Sequence, residues 1–259
     1  MNPLYIAATG MVAQQERVDV IANNLANMNT TGYQRRRASF NDLLYEDQKR
    51  PNNTHSRANG IVPGGVKSGL GVHIASFYRV VEQGNLKQTG NPFDMAIQGS
   101  GYMPVTLADG SIAYTRAGAF QLNQNGQIVT HDGLQVGAGI AIPPGALEIT
   151  VNTSGEVLAQ FEGQAQPQNL GQITLVRFPN EGGLTAIGDS LFQETTSSGA
   201  PLVGVPGTAG FGSLLQGFLE TSNVNPVEEI ANMVKAMRAY ELSSKVIQTA
   251  DQMMSTKSG

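Results

Sequence analysis

Apolar residues recur at helical spacing at both ends of this chain but not in its middle, so the chain divides into three parts. At the N-terminal end the apolar stripe consists of Leu4, Met11, Val18, Ile21 and Leu25. Four of these residues are spaced seven positions apart, which is typical of an amphipathic helix with a narrow apolar seam. The helix is predicted to end near residue 29, and Gly32 is a candidate left-handed residue just past that end.

The C-terminal end predicts a second helix, from about residue 226 to 254. Asn225 is a typical N-cap, Pro226 suits the first helical position, and Glu228 follows three residues after the cap. Its apolar stripe consists of Ile230, Met233, Val234, Met237, Tyr240, Ile247 and Met254. A seam of this kind has to be buried. The two helices are therefore expected either to pair within one chain or to pack against the helices of neighbouring copies.

Hairpin signals recur at short intervals between the two helices. They are Asp109-Gly110, Asn125-Gly126, Asp132-Gly133 and Ser154-Gly155, and the segments between them are short and rich in β-compatible residues. The 31 glycines and the low content of charged residues (14%) also favour a turn-rich β structure. The predicted fold class is α+β, with terminal helices and a central antiparallel β domain over residues 75–195.

Two stretches lack any period and are predicted to be extended or irregular. The first is residues 34–74, which include a polar stretch at about 46–63. The second is a Gly/Pro-rich return segment at 196–222. These boundaries leave residues 1–33 and 223–259 as the two helical ends.

No arrangement of residues in the sequence predicts catalysis, a cofactor or a metal site. The chain has no cysteine, which excludes a thiol nucleophile and thiolate zinc ligands. His55, His73 and His131 are far apart and form no HxxxH or HExxH pair. The glycine-rich segments lack the residues that complete a nucleotide-binding loop.

The charge pattern argues against nucleic acid as a partner. The net charge is −4, and the only dense basic cluster is Arg35-Arg36-Arg37. This cluster is expected to be a solvated or interface patch that pairs with acidic residues such as Asp42 or Glu46. No apolar run reaches the length of a membrane span, and no cleaved secretory signal is expected.

Three motifs stand at the two ends and in the middle of this sequence. The central motif comprises Gln83-Gly84-Asn85-Leu86, Thr89-Gly90, Asp94 and Gly99-Ser100-Gly101-Tyr102. The terminal motifs comprise Asn23, Asn24, Asn27, Gly32 and Tyr33 at one end, and Asn223, Asn225, Glu228, Arg238 and Glu241 at the other. Together they resemble the flagellar axial proteins, which comprise rod, hook and hook-associated subunits. The resemblance covers nearly the whole chain, and within the family it is strongest to the distal-rod members.

The resemblance implies a structural subunit that self-assembles into a helical polymer. Its terminal helices would form a coiled-coil-like inner tube around the export channel, with the β domain outside, and the stripes named above would make the contacts. The stretch at 46–63 would keep the distal rod straight. Implied partners are proximal rod proteins, the hook protein, periplasmic and outer-membrane ring proteins, and the flagellar type III export apparatus. The implied location is the basal body in the periplasmic space.

Two alternatives stay open at the level of sequence. One is a proximal-rod or hook-like axial subunit. The other, from a different class, is a secreted β-rich adhesin or hydrolase with helical appendages. An acidic pair in a cleft of the β domain would favour the hydrolase, and the sequence nominates none.

Overall fold

The computed structural model describes residues 2–49, 66–164 and 166–257 of the chain. They form two compact units. The helical unit comprises Met1–Ala26, Arg36–Tyr78 and Asn225–Gly259, and the β unit comprises Asn27–Arg35 and Arg79–Val224. Of the polar stretch predicted at 46–63, residues 50–63 lie outside the described part of the chain.

The helical unit contains both long helices and four strands. Its elements are α1 (Asn2–Ala26), β1 (Arg36–Asp42), β2 (Tyr45–Lys49), β3 (Val66–Gly69), β4 (Val72–Arg79) and α2 (Pro226–Lys257). β1 pairs with β4, and β2 pairs antiparallel with β3. The segment 34–74 is thus mostly paired strand where it is described, rather than irregular. Neither helix is long and apolar enough, over its described residues, to cross a membrane.

The start of α2 confirms the predicted cap. Asn225 Oδ1 accepts hydrogen bonds from the backbone N–H of Val227, at 3.1 Å, and of Glu228, at 3.4 Å. Pro226 occupies the first helical position. A backbone N–H at this position has no partner within the helix, so the N–H that proline lacks costs no hydrogen bond. α2 continues to Lys257, three residues beyond its predicted end at 254. α1 ends at Ala26, three residues before its predicted end near 29. Fraying makes helix ends the least predictable part of a helix.

The β unit is built almost entirely of short strands. They are β5 (Leu86–Gln88), β6 (Met95–Gln98), β7 (Met103–Thr106), β8 (Ile112–Thr115), β9 (Phe120–Leu122), β10 (Ile128–Thr130), β11 (Gln135–Val136), β12 (Ala146–Val151), β13 (Glu156–Phe161), β14 (Gln168–Gln172), β15 (Leu175–Arg177), β16 (Thr185–Gly188), β17 (Leu191–Gln193), β18 (Leu202–Gly204), β19 (Ser213–Gln216) and β20 (Phe218–Glu220). A short 3₁₀ turn, Glu181–Gly183, precedes β16.

All four predicted hairpins connect neighbouring antiparallel strands. The turns link β7 to β8, β9 to β10, β10 to β11 and β12 to β13. The glycine of each turn has a positive φ, between 73° and 83°, a conformation that glycine adopts without steric cost. The largest sheet has the order β16-β17-β8-β7-β11-β10-β9, and a second sheet has the order β12-β13-β14.

The segment predicted as an irregular return, residues 196–222, contributes three strands to the β unit. β18 pairs with β15, β19 with β6 and β20 with β5. Its glycines permit close approach of backbones, because a Cβ on Gly212 would lie 2.6 Å from the carbonyl oxygen of Gln98. The Gly/Pro density therefore marks tight crossings inside the β unit and not a linker.

The core of the β unit has a large aliphatic cluster and a smaller aromatic one. The aliphatic cluster includes Met95, Ile97, Met103, Val105, Phe120, Val157, Leu175 and Leu214. In the aromatic cluster, Tyr102 packs edge-on against Phe178 and Phe192, with ring centroids 6.3 and 5.8 Å away. Most of the aliphatic cluster comes from alternate positions of short strands, as expected for sheets with one buried face.

Candidate assembly surface

Small and polar residues make the contact between α1 and α2. The buried side chains at this contact are Ala7, Ile21 and Asn24 of α1 and Glu229, Ala236 and Ala250 of α2. Two contacts fix the direction of the pair. Asn24 Nδ2 donates to Glu229 Oε2 at 3.4 Å, and a Cβ on Gly10 would lie 3.4 Å from Ser243 Oγ. Since Gly10 precedes Asn24 while Ser243 follows Glu229, the helices run antiparallel.

Most of the large apolar residues of α2 are therefore not used inside the chain. Among the residues predicted for self-assembly, Ile230, Val234, Met237, Tyr240 and Met254 are between 41% and 50% exposed. Met233 and Ile247 are half-buried. Apolar surface of this extent along one helix is typical of an interaction site. The predicted role of these residues in self-assembly remains a prediction.

The corresponding stripe of α1 is divided between two environments. Ile21 is buried in the contact with α2, whereas Leu4, Met11, Val18 and Leu25 are half-buried on the flank of that contact. The predicted seam and the observed one are thus rotated relative to each other around the helix. The observed seam contains Ala7 and Gly10, whose small side chains allow the helix backbones to come close together.

A second set of exposed apolar residues in the helical unit lies outside the two predicted stripes. This set comprises Tyr5, Val12, Leu44, Tyr45, Phe77, Tyr78, Leu242, Val246 and Met253. The sequence contains part of this pattern, because Tyr5 and Val12 are seven residues apart, as are Val246 and Met253.

Tyr45, one of these exposed residues, also makes a polar contact. A hydrogen bond with Asp42 raises the pKa of the Tyr45 hydroxyl.

Asn24, from the N-terminal motif, holds the chain that follows the helix. Its Oδ1 accepts from the backbone N–H of Arg36, and its Nδ2 donates to the Arg36 carbonyl oxygen, both at 2.9 Å. Asn23 is exposed on the same helix. Asn27 lies in the turn after α1, where its Oδ1 accepts from Thr30 Oγ1 at 3.1 Å. Asn24 therefore fixes the backbone of the segment that begins β1.

Gly32 and Tyr33 belong to the β unit. Gly32 has the predicted left-handed backbone, with φ +67°, but it lies six residues beyond Ala26, the end of α1, and so does not cap the helix. Its N–H donates to the carbonyl oxygen of Glu220 at 2.9 Å. A Cβ at this position would lie 2.7 Å from the backbone nitrogen of Ala117, so the site excludes other residues sterically as well as conformationally. The Tyr33 carbonyl oxygen accepts from the N–H of Asn223 at 3.4 Å.

Asn223, from the C-terminal motif, joins two segments of the β unit. Its Oδ1 accepts from the backbone N–H of Arg35 at 2.7 Å. Its Nδ2 donates to the carbonyl oxygens of Val80 and Glu82, at 3.0 and 2.9 Å. The amide of Asn223 thus provides hydrogen-bond partners for three backbone groups that lie outside the paired strands. Arg238 and Glu241 of the same motif lie exposed on α2.

The basic cluster pairs with acidic residues of other segments. Arg35 pairs with Glu82 at 3.1 Å, and Arg37 pairs with Glu228 at 3.4 Å. The side chain of Glu46, one of the expected partners, lies outside the described residues. The expectation used nearness in sequence, whereas both observed partners lie far along the chain.

The central motif surrounds a buried ion pair that sequence reasoning did not predict. Arg116 Nε lies 3.0 Å from Glu220 Oε2, and the N–H of Gly84 donates to Glu220 Oε1 at 3.0 Å. Gln83 Nε2 donates to the carbonyl oxygen of Ile97, while its Oε1 accepts from the N–H of Gly99. These residues therefore organise the β unit.

The histidines stay apart in the described structure. His73 is exposed on β4, and His131 is exposed in a turn, with Nδ1 3.3 Å from Asp132 Oδ2. His55 lies outside the described residues. Over the described chain, no group of three or more histidine and acidic side chains could hold a metal ion.

Three family models match the chain. Residues 4–34 match the flagella basal body rod protein model, residues 96–159 the flagellar hook protein FlgE/F/G D1 domain, and residues 215–258 the flagellar basal body rod FlgEFG protein C-terminal model. The flagellar basal-body rod protein FlgG of Caulobacter vibrioides is 54% identical over all of this chain and 98% of its own length. The chain belongs to the flagellar basal-body rod protein family.

A second rod protein of the same organism refines this assignment within the rod family. The rod protein FlgF of Caulobacter vibrioides is 33% identical, over 95% of this chain and 92% of its own length. The FlgG of Agrobacterium fabrum is 50% identical, over 98% of this chain and 97% of its own length. The chain is thus more similar to the rod proteins called FlgG than to this FlgF. The family places it in the basal body of the flagellum, as a structural subunit of the rod.

Proposed function

We propose that many copies of this chain assemble into the distal part of the flagellar rod, a hollow helical tube that transmits torque from the motor to the hook and surrounds the export channel. The greater identity to FlgG than to FlgF supports the distal assignment over a proximal-rod or hook-like one.

The observation that carries this proposal is the exposed apolar row on α2. Ile230, Val234, Met237 and Tyr240 repeat at spacings of three and four residues, and each is at least 41% exposed. Burying such a row releases about 25 cal/mol for every Å² of apolar surface. Because α1 and α2 already pair through small residues, the row is available to neighbouring copies. Contacts related by a screw operation do not close on themselves and therefore build a filament.

The partners follow from the proposed position. The distal rod would meet proximal rod proteins at one end and the hook protein at the other, with ring proteins of the periplasm and outer membrane around it. The chain would reach the periplasmic space through the type III export apparatus. Residues 46–63 would keep the tube straight. The role is structural and not catalytic.

Met237→Asp tests the proposal. A carboxylate in the row would be desolvated at the contact without a partner, so we expect no rods and no swimming when this variant replaces the rod protein of a bacterium. Met237→Leu, which keeps the side chain apolar, should restore both. Met237 is half exposed, so the purified variants should melt at the wild-type temperature.

Measuring how much of each variant is secreted into the medium distinguishes a defect in assembly from a defect in export. If Met237→Asp is exported and yet forms rods that support normal swimming, the row does not make the contact and the proposal is wrong. If the wild-type chain itself never enters isolated basal bodies of the complemented strain, the assignment to the rod fails.

A further inference from the structure

An apolar groove with an acidic side runs between α1 and β4. Its two adjoining parts have volumes of about 610 and 500 Å³, and Glu16 and Phe77 line both. Tyr5 and Val12 line the first part, and Asp19 lines the second. We call these five residues the α1 groove. Glu16 and Asp19 are the two acidic residues of α1, and both lie here, whereas Arg36 lines the far end.

A face of α2 beside its contact with α1 has the opposite charge. At about 100° per residue, it carries Lys235, Arg238, Leu242, Lys245, Val246 and Met253, which we call the basic face. All three basic residues among the described side chains of α2 belong to it. Of the acidic residues of α2, Glu229 faces α1, and Glu228 pairs with Arg37. Glu241 and Asp251 lie about 40° and 120° around the helix from Lys245, outside this face. Leu242, Val246 and Met253 are each at least 50% exposed.

We infer that the basic face of one copy docks antiparallel in the α1 groove of a second copy. Asp19 follows Val12 by seven residues, and Arg238 precedes Val246 by eight. If Val12 of one copy lies beside Val246 of the other, the antiparallel register places Asp19 opposite position 239. Asp19 and Arg238 are then offset by one residue, which is about 1.5 Å along the helix axis. The contact covers apolar surface on both sides and pairs opposite charges at its edge.

The occupant is a second copy and not the α2 of the same chain. The chain's own α2 touches α1 at Gly10 and Asn24. Gly10 and Val12 are two positions apart and so lie about 200° apart around the helix. The groove and the intrachain seam are thus on opposite sides of α1. This inference rests on the proposed function, because it names one contact by which copies of the rod subunit join.

Cysteine pairs test the contact directly, because the chain has no cysteine of its own. A variant with Val12→Cys and Val246→Cys, oxidised in isolated basal bodies, should give a ladder of covalent dimers, trimers and longer species. Either single variant should stay monomeric. A Gly10→Cys and Ser243→Cys pair serves as the control, since its disulfide forms within one chain and leaves the mass of a monomer.

Charge exchange gives a second, independent readout. Asp19→Arg and Arg238→Asp should each reduce swimming severely, and the double variant should restore at least half of it. Rods that assemble normally but give no Val12–Val246 ladder would overturn the contact and leave the proposed function standing. Absence of rescue in the double variant would also overturn it. Absence of the wild-type chain from basal bodies would instead count against the proposed function.

Discussion

Arg116 and Glu220 form an ion pair in which neither side chain is more than 4% exposed. The other guanidinium nitrogens donate to the carbonyl oxygens of Gly101 and Gly99, each at 3.0 Å. Removing one partner leaves a buried charge uncompensated, so we expect Glu220→Gln to lower the free energy of unfolding by about 3–5 kcal/mol. Urea denaturation followed by circular dichroism measures this.

The matched control is the same change at an exposed pair. Glu228 and its partner Arg37 have side chains that are 47% and 45% exposed, so Glu228→Gln should cost less than about 1 kcal/mol. Equal losses from the two variants would mean that burial does not set the strength of the Arg116–Glu220 pair.

Asn24→Asp should loosen the helical unit. The carboxylate cannot donate to the Arg36 carbonyl oxygen, and it lies beside Glu229 Oε2, which the amide contacts at 3.4 Å. An unsatisfied buried group costs about 1–3 kcal/mol. We expect a lower melting temperature and faster hydrogen exchange at the C-terminal end of α1.

A second substitution tests the cause of that loss. Glu229→Gln removes the opposing charge and supplies a donor, so the double variant should recover part of the stability lost by Asn24→Asp. A double variant that is no more stable than the single one would contradict the repulsion.

The parts of the fold that depend on nearby residues could be predicted from the sequence. Asp109-Gly110 and the other three turns determine their own geometry, and so does the Asn225 cap. Contacts between distant residues could not be predicted. Arg116 and Glu220 are 104 residues apart, and no local pattern links them. Helical spacing also predicted an apolar stripe on each helix but not that Ala236 and Gly10 would occupy the contact within the chain.

A size series at Gly10 tests the close approach of α1 and α2. A Cβ would lie 3.4 Å from Ser243 Oγ, which is contact without overlap. Glycine inside a helix costs about 1 kcal/mol relative to alanine, so Gly10→Ala should raise the free energy of unfolding by up to about that amount. Gly10→Leu should lower it by about 1–3 kcal/mol through overpacking. Thermal melting of both variants measures the change.

The Ser243 side chain provides the check on this series. Gly10→Leu combined with Ser243→Ala has more room and should melt at a higher temperature than Gly10→Leu alone. If Gly10→Leu is as stable as Gly10→Ala, the helices are not close at this point.

Gly32 and Gly110 differ in surroundings but share a left-handed backbone, with φ of +67° and +83°. No atom lies within 4 Å of a Cβ placed on Gly110. Gly110→Ala should therefore lower the free energy of unfolding only by the cost of a left-handed backbone at alanine, about 1–2 kcal/mol. Gly32→Ala should cost more, because its Cβ would overlap the backbone of Ala117. Urea midpoints of the two variants compare the costs, and equal losses would rule out the overlap.

The hydroxyl of Tyr102 makes the β unit sensitive to alkaline pH. It donates to Glu181 Oε2 at 3.1 Å, and burial, with the Glu181 charge second, raises the pKa of Tyr102 from 10.0 to about 12. Above pH 10 the unfolded chain releases a proton that the folded chain retains. The stabilisation is therefore complete below pH 10 and is lost as the pH rises toward 12, by about 3 kcal/mol in all.

Tyr102→Phe should remove this loss. At neutral pH the variant lacks one hydrogen bond and should be about 1 kcal/mol less stable than the wild type. Between pH 10 and 12 the difference should shrink and then reverse, because phenylalanine has no proton to release. Urea unfolding at several pH values measures this, with Tyr5→Phe as the control for loss of an exposed hydroxyl. A constant difference for Tyr102→Phe would show that its hydroxyl does not titrate on unfolding.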